Sequence, residues 1–556
     1  MILQIPNVVR ITFLSIALAA VTACGGGGGS TPPPPPSASI GGTASGLDAG
    51  ESVLLQYNGG NNLTISTNGP FTFASKVASG GIYAVTVVQS PSGKTCTVSF
   101  LSGITPAGVA SVAVACIKTY TISGAVSGLV GQNLKLALGA WRRISYGTAC
   151  VTQETLEIGK NGEFAFAMRH SSGSYCVHIQ QQPDSPAQRC VVRNGNAGIS
   201  AADVSDVEVV CGEFSYVANA ADNTISAFSI DATTGAIASA GPPVSAGVAP
   251  IAIAGTNDKK YVYVVNSGSN DVSAFAVDPG TGALTTVPGS PFAAGKNPRA
   301  LALSYNSFLY VANSSPDDLV GYQIDDSNGA LTPVRFCTPC FHSPGAGPSA
   351  IAIGPSNGFL YTANTGSSNI SAFDFDGFFA GALDPVPGSP FSSGSNVSSL
   401  AFGAGGKFLY AADASGATAA IDGFTVGPRW DQNGIPDPNA GALASIVGFP
   451  HPLPSCTFIV ADQTGAYLYA TTGTDLLGYS IDATTGALTL LSGFPIAVGA
   501  NVRSVSIDPT NQFLYVANGS AGTVTSYTLN AATGALTPMP GSPFAVGTSA
   551  DYIATF

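Results

Sequence analysis

Through most of this chain, apolar and polar positions alternate over short stretches, and Gly, Asn or Ser interrupts them every few residues. Ile82-Tyr-Ala-Val-Thr-Val87 and Ser273-Ala-Phe-Ala-Val277 show the pattern. A period of two over such lengths predicts strands joined by tight turns rather than helices. One segment departs from it. An apolar run from Ile11 to Ala20 follows the single cation Arg10, and it is too short to span a bilayer as a mature helix. It reads as the apolar part of an export signal over residues 1–23.

The signal ends in Val21-Thr22-Ala23-Cys24, which resembles the lipobox of bacterial lipoproteins. That resemblance implies that Cys24 is acylated and becomes the mature N-terminus, with several acyl chains giving stable anchoring. Gly25 after it implies the outer membrane, on the periplasmic or the surface face. Gly25–Gly29 and Pro32–Pro36 then make a swivel followed by a stiff spacer of about 3.1 Å per residue, so residues 24–37 read as a tether.

Residues 38–116 and 117–212 look like two copies of one plan. Ile40-Gly-Gly-Thr-Ala-Ser-Gly-Leu47 has its counterpart in Ile122-Ser-Gly-Ala-Val-Ser-Gly-Leu129. Asn68-Gly-Pro-Phe-Thr-Phe73 likewise matches Asn161-Gly-Glu-Phe-Ala-Phe166. Alternating strands with Asn-Gly and Ser-Gly turns predict small β-sandwiches, similar to prealbumin-like or Ig-like modules of surface proteins. Each copy ends in a similarly spaced Cys pair, Cys96/Cys116 and Cys190/Cys211, and the second adds Cys150/Cys176. In an exported chain these three pairs are expected to be disulfides, and the modules to serve as spacers or binders of glycan or protein.

From residue 213 to 556 the chain repeats at intervals of roughly 46 to 60 residues. The Tyr of a Leu-Tyr-Val-Ala-Asn-type strand recurs at Tyr216, Tyr263, Tyr310, Tyr361, Tyr410, Tyr469 and Tyr515. A Gly-Ala turn follows each, at Gly235, Gly282, Gly329, Gly381, Gly441, Gly486 and Gly534. A Gly-Ser-Pro-Phe-type loop and one more strand complete each repeat. Four strands per repeat predict propeller blades, seven in all. The first repeat has no inner strand ahead of it, and Asp551-Tyr-Ile-Ala-Thr-Phe556 is an inner-type strand with no blade after it. The C-terminal strand is therefore expected to complete blade one and remove a sheet edge. The fold class is all-β: a seven-bladed propeller behind two sandwiches.

Composition adds exclusions. Only 9% of residues are charged and the net charge is −12, with no basic patch, which excludes nucleic acid as a partner. The repeats, with Tyr-Val-Ala-Asn, Thr-Gly-Ala-Leu-Thr and Gly-Ser-Pro-Phe, resemble the lactonase family of seven-bladed propellers, which includes 6-phosphogluconolactonase-like enzymes. The resemblance implies the fold for the whole repeat region and, if the chain is an enzyme, a lactone hydrolase. The family's enzymes resemble Pro-Arg-His before an inner strand and carry a Glu after the Tyr-Val-x-Asn strand. Here Pro298-Arg299 is followed by Ala300, and no such Glu is present.

Lactone hydrolysis needs a base or nucleophile and cationic donors for the developing oxyanion. Beside the inner strands, Arg299, Arg503 and Asp551 are the candidates; the matching positions elsewhere read as Pro250, Ser349, Ser398, Cys456 and Ala550. The recurring Asn219, Asn266, Asn313, Asn364, Asp413 and Asn518 read as turn caps. Gly354-Pro-Ser356-Asn-Gly358 matches a hydrolase pattern but sits between strands with no helix after it. Asp431, Asn433, Asp437 and Asn439, in an insertion of blade five, are candidate Ca²⁺ ligands. Cys337, Cys340, Cys456 and His342 offer a disulfide, Cys337–Cys340 or one of these with Cys456, or a zinc site. No cofactor is called for. The sequence leads to a membrane-anchored propeller that binds a small molecule, glycan or protein, with lactone hydrolysis or a structural envelope role as the alternatives.

Overall fold

The computed structural model describes residues 37–556, apart from 101, 105–108, 145–146, 172, 201, 305–307, 335–343, 356–357, 376–380, 395, 416–417, 431–436 and 500. The signal segment, Cys24 and the tether thus lie outside the described residues. So do Cys337, Cys340, His342, Ser356, Asp431 and Asn433. The chain divides into two compact units, one ending at Lys118 and one running from Thr119 to Phe556.

The first unit holds eight strands in two four-stranded sheets. Numbered first to eighth in chain order, they run fourth–first–eighth–sixth in one sheet and third–second–fifth–seventh in the other. Alternate side chains of both sheets, among them Ile40, Leu55, Val85 and Val112, meet in one core. Residues 119–212 repeat this order strand for strand around Ile122, Leu136, Val177 and Val207. The shared Gly of the two opening motifs has a steric reason. In each module the first strand pairs parallel with the eighth. A Cβ on Gly42 would lie 1.6 Å from the Val112 carbonyl oxygen, and one on Gly124 would lie 1.8 Å from that of Val207.

All three expected disulfides form. Cys96 and Cys116 face each other on the sixth and eighth strands, and Cys190 and Cys211 bridge the ends of the equivalent pair. Cys150–Cys176 joins two strands that both pair with Leu134–Ile144.

Seven further sheets make the propeller, each antiparallel and at least four strands wide. Their innermost strands touch in a closed ring, from Tyr552–Thr555 through Pro250–Gly255, Lys296–Ser304, Pro348–Ile353, Val397–Gly403 and Phe458–Ala461 to Val502–Ile507. The C-terminal strand completes blade one as expected: Val217 pairs with Ile553 and Ala218 with Tyr552. The second strands are buried along most of their length, Tyr261–Asn266 at every position, because each is covered by blades on both faces. The cores therefore lie between blades. Phe214, Tyr216 and Ile225 of blade one pack with Ile253, Val262 and Phe275 of blade two.

The two best-kept marks of the repeat prove to be partners across blades. Each buried Tyr donates its hydroxyl hydrogen to the Gly carbonyl of the next blade's Gly-Ala turn. The bonds run from Tyr216 to Gly282 (2.8 Å), from Tyr410 to Gly486 (2.7 Å), and finally from Tyr515 back to Gly235 (2.8 Å). Tyr263, Tyr310, Tyr361 and Tyr469 make the same bond. Burial pushes all seven phenols well above their ordinary pKa, which keeps them donors. The turn must be Gly: φ is +78° at Gly282, and a Cβ there would lie 2.2 Å from the Phe214 ring. Tyr410→Phe should cost about 1–3 kcal/mol, since it leaves a buried carbonyl without its donor. Urea unfolding of the variant checks this, and an unchanged midpoint would show the bond to be dispensable.

The second sandwich is held against the propeller rather than strung from it. The inner and second strands of each blade run antiparallel, so the turns joining them lie at the channel end opposite the inner strands' N-termini. The sandwich meets that end at blades one, two and seven. Arg193 donates to the carbonyls of Asp258 and Lys259. Lys259 donates back through Nζ to the carbonyls of Arg189 (3.0 Å) and Gly212 (2.8 Å). These two carbonyls flank the Cys190–Cys211 disulfide. Gln512 donates to the Ala187 carbonyl, and Ser127 to that of Pro279.

Candidate functional site

The inner strands begin at the free end of the channel, and there the ladder slips. In blade three Pro298 pairs with Asn313 and Ala300 with Ala312, so Arg299 is an extra, bulged residue. The same slip isolates Ile251, Ser349, Ser398 and Arg503 in their blades. Thr457 and Asp551 take the matching places next to Phe458 and Tyr552. A bulge re-aims its side chain, and these side chains line one cavity of about 680 Å³ at the mouth.

Of the candidates, Arg299, Arg503 and Asp551 all come together here. The expected neighbours need correcting by one residue in three blades. Ile251, Thr457 and Asp551 stand at the mouth, not Pro250, Cys456 and Ala550. Cys456 is fully buried in the core between blades, where burial pushes its free thiol up to about 12. Cys337 and Cys340, its expected partners, lie outside the described residues.

Charge at the mouth is uneven. Arg503 lies 3.9 Å from Asp551, which also accepts a hydrogen bond from the Ala220 amide (3.1 Å). Arg299 lines the cavity with no ion-pair partner among the described residues. Ser349 and Ser398 donate to the carbonyls of Val397 (2.6 Å) and Thr457 (2.9 Å) of the next blade, stitching the channel wall. Thr365, Asn396 and Ser314 complete the polar lining, and Leu301, Phe458 and Tyr552 the apolar part. Among the described residues the lining contains no His and no Glu. His451 lies instead in a short outer strand, its ring against Tyr479, and burial lowers its pKa.

The recurring Asn side chains do cap strand ends. Asn219 donates to Thr224 (3.1 Å) and Ser226 (2.9 Å), and Asn266 does the same to Asp271 and Ser273. Of the candidate Ca²⁺ ligands that are described, Asp437 accepts from the Asn439 amide within its own turn. The described residues contain no group of three or more His, Cys, Asp or Glu arranged to hold a metal.

Sequence reasoning missed one buried charged group, at the opposite end of the channel. Lys259, Glu213 and Asp508 are each at most 2% exposed. Desolvation pushes Lys259 down and the two carboxyls up, while the opposite charges partly compensate each other. Asp508 also accepts from the amides of Thr510, Gln512 and Phe513. In the sequence, Asn257-Asp-Lys-Lys260 resembles any solvated turn; only its two adjacent lysines in an otherwise cation-poor repeat region set it apart.

The described residues thus form a closed seven-bladed propeller with a polar, arginine-bearing cavity at one channel mouth. The family model "Lactonase, 7-bladed beta-propeller" matches residues 178–298, 212–337, 286–389 and 452–550, and the chain belongs to that family. A candidate 6-phosphogluconolactonase of Bacteroides fragilis is similar in fold (TM-score 0.52, 22% identity, covering 62% of this chain and 97% of that one). One from Bacteroides uniformis gives a TM-score of 0.51 at 16% identity, covering 62% of this chain and 99% of its own. A protein from Lactobacillus plantarum gives 0.50 at 18%, with the same two coverages. No curated protein matches the chain.

Proposed function

We propose that this lactonase-family propeller is a binding protein, lipid-anchored through Cys24 to the outer membrane, that takes a small ligand at its channel mouth. One observation carries the reading: the bulged ring gathers Arg299, Arg503 and Asp551 around a single cavity, and Arg299 is left without a described counter-charge. The anchor is supported by the lipobox-like Val21–Cys24 and the tether behind it. Ligand binding should raise the melting temperature by mass action, and Arg299→Ala should abolish that rise while leaving the unliganded protein as stable as the parent. Screening sugar acids, lactones and oligosaccharides by thermal shift tests this. Retention of every shift in Arg299→Ala would sink it.

A second reading, lactone hydrolysis, is favoured by family membership and by Asp551, the one carboxylate among the described lining residues. A base must reach the water it activates, and Asp551 is the only described acid placed to do so. Turnover of sugar or acyl lactones that is lost in Asp551→Asn would establish this reading over binding alone.

A further inference from the structure

We infer that the mouth selects a singly charged, hydroxyl-bearing carboxylate over a phosphate dianion; this rests on the mouth being the ligand site.

The argument is one of charge placement. Inside the cavity stand two guanidinium groups and one carboxylate, a balance of a single positive charge. Because Asp551 lies 3.9 Å from Arg503, the cavity cation with no acid beside it among the described residues is Arg299. A guanidinium presents two parallel donors that match one carboxylate in a bidentate pair. The remaining lining fits hydroxyl groups: Ser314, Thr365 and Asn396 offer donors and acceptors, while Tyr552 and Phe458 offer ring surface.

The rim opposes a higher charge. The turns between second and third strands open on the mouth side, and there they carry acids: Asp222 in blade one, Asp271 at the start of its strand in blade two, Asp317 in blade three and Asp475 in blade six. Lys296 is a cation on that face outside the cavity. The chain as a whole carries −12. A second negative charge on the ligand would gain less from Arg503, which has Asp551 3.9 Å away, and would approach through this acidic rim.

Titration calorimetry of the full chain with three matched six-carbon polyols tests the inference: gluconate (carboxylate), glucitol 6-phosphate (phosphate) and glucitol (neither). Gluconate is expected to bind at least tenfold more tightly than the other two. Arg299→Ala should erase that preference, and Asp222→Asn with Asp475→Asn should narrow the gap to the phosphate. Equal or tighter binding of the phosphate or of glucitol would overturn the inference, as would no heat from any of the three. Ser314→Trp separates the two levels of the argument. If it blocks a ligand that turns out to be the phosphate, the mouth stands as the site and only the charge class fails. If gluconate still binds that variant as it binds the parent, the mouth itself is the wrong site.

Discussion

Deleting residues 550–556 is expected to lower the melting temperature steeply and to remove Asp551, the one carboxylate among the described cavity-lining residues, in the same step. The segment supplies the inner strand of blade one. Without it the strand Glu213–Asn219 becomes an open edge along the channel. Ile553, 2% exposed, packs between Val217 of blade one and Tyr515 of blade seven, and Phe556 stacks on Tyr216 at 5.2 Å. Truncating a buried Ile alone costs about 2–5 kcal/mol, so the whole strand should exceed that. Ser504 and Ser506 of blade seven would also lose the amides of Ile553 and Thr555 that they accept from. The exposed edge should promote association as well. Thermal denaturation followed by circular dichroism, with light scattering alongside, checks both effects. A variant that melts with the parent would show that the ring is held by its other six blades.

The second large effect is expected at the channel's other end. Lys259→Met should destabilise the protein by about 3–5 kcal/mol, because removing one partner of a buried charge group leaves the rest uncompensated. Glu213 and Asp508 remain in place, and the carbonyls of Arg189 and Gly212 lose their donor. Adding Glu213→Gln should restore a good part of the loss, since replacing charges together removes the desolvation they required. Limited proteolysis gives a readout specific to the seam: the sandwich of residues 119–212 should become cleavable from the propeller in the single variant and less so in the double. If the double variant is weaker than the parent by the sum of the two single effects, Lys259 and Glu213 act independently and the seam is not a charge network.

Much of the candidate site was legible because it recurs. Arg299 and Arg503 stand out by alignment of the inner strands, and Asp551 by its place in the last one. The ring's full membership was not legible. A bulge adds a residue without changing composition or period, so Pro250, Cys456 and Ala550 looked equivalent to Arg299 when each stands one residue too early. The disulfides were readable from paired spacings, whereas Cys456 offered no spacing to decide its state. The Lys259 group was hidden for a different reason. Its partners lie more than forty residues away on either side, and burial rather than sequence makes the charges significant.

By itself the sequence determined the strands, the count of seven blades, the duplicated sandwiches and the closure by the last strand. These follow from local periodicity and turn chemistry, which each repeat states anew. Only the tertiary structure decided that the Tyr of one blade bonds to the Gly turn of the next, and that the second sandwich is fastened to the propeller's base. It also decided which residue of each inner strand faces the mouth. Those facts depend on contacts between segments far apart in the chain and on a one-residue slip in register, and neither leaves a periodic trace in the sequence.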